Sequence, residues 1–245
     1  MTYLTPDQSQ SRILRTYTAL HQLCPSWTGS LIIALGLDPA GSALSIAANI
    51  AGAVSLIIDN DLTHIREAIR AGAVDFTVTT LDEAIRAMKN EIRKGSPLSV
   101  ALSADPVLAL DDVLGRGLAP QLFASFLPTH SRIEDAAHTL ATLGADLIDF
   151  TASPPAAGFQ ASGALVGPLL ERHGWTLRIF TFETQAALRS FDARVLSLLP
   201  PEDVMRRRWI EAGRSILPRD ASPNRALWLT QSEFDLFLTP MLPLP

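Results

Sequence analysis

The chain has a single cysteine, Cys24, among its 245 residues. That excludes an intrachain disulfide and a cysteine-based metal centre, and it fits a reducing compartment. Aromatic residues make up 7% and charged residues 18%, with 20 Lys and Arg against 25 Asp and Glu. The resulting net charge of −5 excludes the basic footprint by which proteins hold nucleic acid. No apolar run approaches the ~20 residues that span a bilayer. The N-terminal stretch MTYLTPDQSQSRILRTY lacks both the charged segment and the apolar stretch of a signal peptide. The expected setting is the cytoplasm, with neither membrane nor nucleic acid among the partners. There is also no His-Glu-x-x-His pair, no P-loop lysine and no Ser-His-Asp order. The five histidines do not cluster at metal-ligand spacing, so no metal site is expected.

What is present is apolar material, 47% of the chain, in a repeating β–α rhythm. Its clearest statement is SLIIALGLDPAGSALSIAANIAGAVSLIIDN, residues 30–60. An apolar run, Ser30–Leu35, breaks at Gly36 into the loop Gly36-Leu37-Asp38-Pro39-Ala40-Gly41-Ser42. A helix of small residues follows, with Ala43, Ala47, Ala48, Ala51 and Gly52 at helical spacing. A second apolar run, Val54–Ile58, ends in Asp59-Asn60-Asp61. Strand, turn, helix and strand within roughly 30 residues make a βαβ unit with a right-handed crossover. Asp59 falls about 20 residues past the turn, where dinucleotide folds place the acid that binds a ribose hydroxyl. The turn itself departs from G-x-G-x-x-G, keeping two glycines and adding a proline and a carboxylate. Asp38 either repels a pyrophosphate there or caps the helix N-terminus through backbone N–H groups. Gly36, Asp38, Gly41, Ser42 and Asp59 are the candidate cofactor-binding residues of this turn.

Downstream the unit repeats, predicting a Rossmann-like, doubly wound α/β fold: a largely parallel sheet with helices on both faces. Thr5, Pro6 and Gln8 predict the start of an amphipathic helix that ends near Cys24-Pro25. Strands are expected at Val74–Val78, Leu98–Leu102, Gln121–Leu127 and Asp146–Phe150. Helices are expected at Leu62–Ala71, Leu81–Lys94, Pro106–Leu114 and Arg132–Leu143. Thr151–Gly163, TASPPAAGFQASG, reads as a loop or linker. An elaborated C-terminal α/β portion follows, ending in a Pro-rich tail. The expected organisation is a helical extension over 1–27, the Rossmann-like domain over 28–150, a linker over 151–163 and a C-terminal portion over 164–245.

His130 follows a predicted strand, at the edge where open α/β sheets bind ligands. Asp59 and Asp105 stand at similar strand ends, and the three are expected to face one crevice unless Asp105 only caps the helix begun by Pro106. Cys24 reads as a buried helix-end residue. Arg206-Arg207-Arg208 reads as a solvated face with Glu202, Asp203 and Glu211 as acid partners.

AGSALSIAANIAGAVSLIIDND, with VDFTVTTLDEAIRAMKNEIRKGSPLSVAL after it, resembles the central NAD-binding domain of the urocanase family. Ile50-Ala51-Gly52-Ala53-Val54 matches the family's Ile-Ala-Gly-Ala-Val. A distal stretch, VLSLLPPEDVMRRRWIEAGRSILPRDASPNRALWLT, is similar to the family's Arg-Arg-Trp-Ile helix and the strand after it. The resemblance covers about residues 28–130 and 190–230. By this resemblance the family's Gly-Gly-Met falls on Asp38-Pro39-Ala40 and its loop glutamine on Leu44. Its acid after the second strand falls on Asp59, and an arginine five residues on becomes His64. An asparagine becomes Asp105, and the Gln-Thr-Ser-x-His segment keeps only His130. No counterpart is found for the family's N-terminal substrate domain or its Gly-Arg-Asp-His-Leu-Asp and cysteine region. Resemblance implies NAD as cofactor, His64, Asp105 and His130 as further cofactor contacts, and a homodimer. The altered loop predicts weakened or lost NAD binding. The expected function is therefore binding of a small molecule or dinucleotide without urocanate hydratase activity of its own. Alternatives are an NAD-dependent lyase or hydratase acting on urocanate or a related compound, new chemistry with His130 as general acid or base, and a pseudoenzyme acting through self-association or a partner.

Overall fold

The computed structural model describes residues 6–151, 154–216 and 223–238. Thr5 and all but the first residue of LTPMLPLP lie outside them. Helix α1 (Pro6–Leu23) leads into strand β1 (Leu31–Leu35), helix α2 (Pro39–Ala51), β2 (Val54–Asp59) and α3 (Leu62–Arg70). Then come β3 (Phe76–Val78), α4 (Leu81–Lys94), β4 (Leu98–Ser103), α5 (Pro106–Gly115), β5 (Leu122–Ser125), α6 (Ser131–Thr142) and β6 (Asp146–Asp149). Seven parallel strands form one sheet in the order β3-β4-β2-β1-β5-β6-β7, where β7 is Gln160–Ala161. Leu31 stands opposite Val54, and Ile32 opposite Leu122, so β1 lies between β2 and β5. There the strand order reverses, the position at which open α/β sheets form their crevice.

Both faces of the sheet are covered, as the uninterrupted apolar runs of β1 and β2 require. Ile33, Leu35, Leu56 and Ile58 join a core with Leu81, Ala84 and Met88 of α4, Leu110 and Val113 of α5, and Ala137 and Leu140 of α6. Ile32, Ala34 and Ile57 join the opposite core with α2 and α1. Helix α2 is buried along ten of its thirteen residues. Its alanines do more than bring it close to the sheet: they also let Ile13, Leu14, Tyr17 and Leu20 of α1 pack over it. Burying each larger side chain such as Leu44, Ile46 or Ile50 contributes about 1.5–3 kcal/mol.

The C-terminal portion comprises α7 (Ser162–His173), β8 (Thr176–Thr181), α8 (Gln185–Leu198), α9 (Val204–Ile216), β9 (Asn224–Leu229) and α10 (Gln231–Leu238). β8 and β9 pair antiparallel as a separate ribbon, Thr176 opposite Leu229. The ribbon contributes Phe180, Ala226, Leu227, Trp228 and Leu229 to the α1–α2 core. Gln10 of α1 donates to the Asn224 carbonyl at 2.9 Å and accepts from the Ala226 amide at 3.1 Å. The Trp228 indole donates to Thr18 Oγ1 at 2.8 Å. A buried bidentate pair, Arg225 on Asp192 at 2.9 and 2.8 Å, ties β9 to α8.

Three local expectations change. The stretch 151–163 is more than a linker: Gln160 and Ala161 add an edge strand beside Ile148 and Asp149. Cys24 is half-buried rather than buried. The three arginines of α9 do not share a solvated face, because consecutive helix positions point apart. Arg206 is 5% exposed and binds Asp203 at 2.6 Å and Glu233 at 2.8 Å, stacked over Trp175. Burial works against its charge, and the two carboxylates outweigh that effect and raise its pKa. Arg207 caps the end of α8 through the Leu196 and Leu199 carbonyls, with the expected Glu211 at 4.0 Å. Arg208 donates to the Ile50 carbonyl near the end of α2 at 2.6 Å.

Candidate functional site at the strand C-termini

The β1–α2 loop is built on a contact that only glycine permits. A Cβ added at Gly41 would stand 2.1 Å from the Gly36 carbonyl oxygen. Gly36 itself has φ +89°, and its amide donates to the Ile58 carbonyl at 2.8 Å. The first turn of α2 therefore rests directly on the end of β1. Asp38 adopts an extended N-cap conformation, and its Oδ1 accepts from the Ala40 amide at 2.9 Å and the Gly41 amide at 2.8 Å. Pro39 has no N–H, and the Ser42 amide donates to the Asp38 carbonyl at 2.8 Å. Each backbone donor of this first turn is thus engaged within the chain. The Ser42 hydroxyl stands 3.4 Å from the Leu37 carbonyl.

Asp59, 3% exposed, is turned toward the same loop. Its Oδ2 accepts from the Leu37 amide at 2.6 Å and lies 3.1 Å from His64 Nδ1, while Oδ1 accepts from the Asp61 amide at 2.8 Å. This contact is a hydrogen bond from His64 when Nδ1 carries the ring proton. His64 Nε2 stands 3.8 Å from Asp61 Oδ2. The Thr63 amide, and then the charge of His64, hold the Asp61 carboxyl below its ordinary pKa.

The far side of the loop is closed by the residues after β5. A Cβ at Gly36 would meet Phe126 Cβ and Leu127 Cδ2, each at 3.2 Å, and Phe126 stacks on Phe150. The other two candidates cap helices. Asp105 accepts from the Val107 and Leu108 amides at 3.0 and 2.9 Å, at the start of α5. His130 Nδ1 accepts from the Arg132 amide at 3.2 Å, at the start of α6. His130 also borders a cavity of about 320 Å³ with Phe126, Leu127, Glu134, Asp149 and Phe159. Neither Asp59 nor Asp105 lines that cavity, so the structure brings Asp59 together with His64 and the loop, and His130 together with Asp149. Asp149, 7% exposed, accepts from the Thr151 amide and hydroxyl at 2.8 and 2.9 Å. Sequence reasoning passed over it, although an acid ending β6 carries the signal that marked Asp59 at the end of β2.

Residues 13–136 match the family model of the urocanase Rossmann-like domain. The chain belongs to the urocanase family. The match to the urocanase domain starts inside α1 and ends inside α6, so it takes in the sheet from β1 through β5 and the whole self-capped loop. It begins at Ile13 of α1, the helix that packs on α2. No helix among the described residues is long and apolar enough to cross a membrane.

Proposed function

We propose that this urocanase-family chain is a small-molecule binding protein in which the dinucleotide loop serves as a structural joint, and that it does not hydrate urocanate by itself. The observation that carries this reading is the Asp38 carboxylate on the Ala40 and Gly41 amides. A pyrophosphate at a helix N-terminus needs those donors. Displacing the cap costs about 1 kcal/mol. A carboxylate left facing phosphate at about 4 Å costs about 4 kcal/mol more at an effective dielectric of ~20. Together they consume much of the roughly 8 kcal/mol that defines micromolar affinity. Asp59 supports the same reading, because the ribose-type acid already accepts from Leu37, Asp61 and His64. The residues present therefore do not fit NAD in its usual place.

The cavity beside His130 offers a ligand apolar walls, from Phe126, Leu127 and Phe159, and polar groups in His130 and Glu134. Calorimetric titration of the purified chain with NAD tests the reading. The expected result is no saturable heat in the low micromolar range, and a dissociation constant at or below that range overturns it. Urocanate absorbance is expected to stay constant in the presence of the protein, and its consumption would overturn the second half. Mass spectrometry of small molecules released from freshly purified protein identifies what is bound instead.

A further inference from the structure

A cavity of about 540 Å³ lies between α1, α7, β8 and the loop after β6, away from the β1–α2 turn. Arg12 and Arg15, three residues apart on one side of α1, both line it. Among the described residues no aspartate or glutamate does, in a chain whose net charge is −5. Among the described residues neither arginine has a carboxylate within ion-pair distance. The Arg15 guanidinium stands 5.2 Å from the centre of the buried Trp228 ring, which orients it without neutralising it. Ser162, Phe150 and Leu177 also line it, as does Thr151, whose hydroxyl already donates to Asp149. The first turn of α7 opens onto the same space, and Ala161 at its N-cap makes no side-chain bond to it.

We infer that this cavity binds an oxyanion, a carboxylate or a phosphate ester, carried on an apolar or aromatic body. Two unpaired guanidiniums match the forked geometry of either head group. The Ser162 hydroxyl offers a further donor, and Phe150 and Leu177 accommodate the body. The volume is that of a small-molecule site. The inference does not depend on the state of the β1–α2 loop.

The test is a titration of the full chain, labelled with nitrogen-15, with three probes: inorganic phosphate, phenyl phosphate and benzoate. The expected result is saturable movement of the Ser162 and Gly163 amide signals, at lower concentration for at least one aromatic probe than for inorganic phosphate. Phenyl phosphate outbinding benzoate assigns a phosphate head group, and the reverse assigns a carboxylate. Arg12→Gln and Arg15→Gln each weaken binding by at least about tenfold, and Arg12→Lys recovers part of the loss. If the amide signals of Ser162 and Gly163 stay still with all three probes, the inference is overturned, whatever becomes of the variants. Unchanged affinity in a folded Arg12→Gln/Arg15→Gln double variant overturns it as well. Signals from Gly36 and Gly41 report separately on the dinucleotide loop, so failure of one reading leaves the other measurable.

Discussion

Helices α2 and α7 both start where a strand of the parallel sheet ends, and their first turns are treated in opposite ways. At α2 the chain supplies its own anion, Asp38, and covers the turn with Phe126 and Leu127. At α7 the N-cap is alanine, and two arginines that have no acid partner among the described residues line the cavity. A helix N-terminus attracts negative charge wherever it occurs. What separates a joint from a binding site is whether a neighbouring side chain has already taken that role.

The sharpest way to break this comparison is at Gly41. Gly41→Ala drives a Cβ into the Gly36 carbonyl, and the expected cost is about 3 kcal/mol or more. A thermal melt should fall by roughly 6–12 °C, and an unchanged midpoint would show that the loop yields and is no joint. Asp59→Ala comes next, leaving the buried Leu37 amide and the Asp61 amide without their acceptor. Urea denaturation should register a loss of about 2–4 kcal/mol for the two amides, whereas a loss below about half a kcal/mol would mean that water replaces the carboxylate. Asp38→Ala removes one cap at about 1 kcal/mol. It should also open the α2 amides, so that phosphate titration now moves the Gly41 amide signal, which stays still in the parent chain. Ala161→Asp reverses the experiment by giving α7 the cap that α2 has. A gain of about 0.5–1 kcal/mol is expected, together with loss of binding by the aromatic anion probes. Retained binding would separate the arginines from the helix terminus as the source of affinity.

Much of the frame was legible because βα periodicity is local. Small residues at 43, 47, 48 and 51 marked α2 and Gly95 ends α4 with a positive φ, whereas Gly52, read as part of the α2 face, is instead its left-handed C-cap. The Pro39 and Pro106 starts, each behind an aspartate, carried the alternative that Asp38 and Asp105 cap helices, and both do. The direction of Asp59 was not legible. Its position at the end of β2 is compatible with facing outward to a ribose or inward to Leu37, and only the folded loop decides. Strand β7 escaped notice because Gln160 and Ala161 have no apolar run, and their pairing with β6 is long-range. Asp203, an expected acid partner, does bind Arg206. The burial of the α9 arginines was not legible, because Glu233 and the carbonyls of Ile50, Leu196 and Trp228 lie far from them in sequence or are backbone groups that composition does not reveal. Arg12 and Arg15 carried no sequence signal either, since α7 and β8 complete their cavity from about 150 residues away.

The stitching of α1 to β9 bears on how the chain is made. Gln10 and Thr18 find their partners in Asn224, Ala226 and Trp228, at sequence separations of 210 to 216 residues. Synthesis runs from the N-terminus, so α1 leaves the ribosome long before the strand that satisfies it. Until then the outer surface of α1 and α2 is exposed, apolar and without its final cover. The Rossmann-like sheet can form early, but this surface is covered only when β9 arrives. A nascent chain arrested before β9 should therefore bind a holdase chaperone or aggregate, and emergence of β9 should end that exposure in one step.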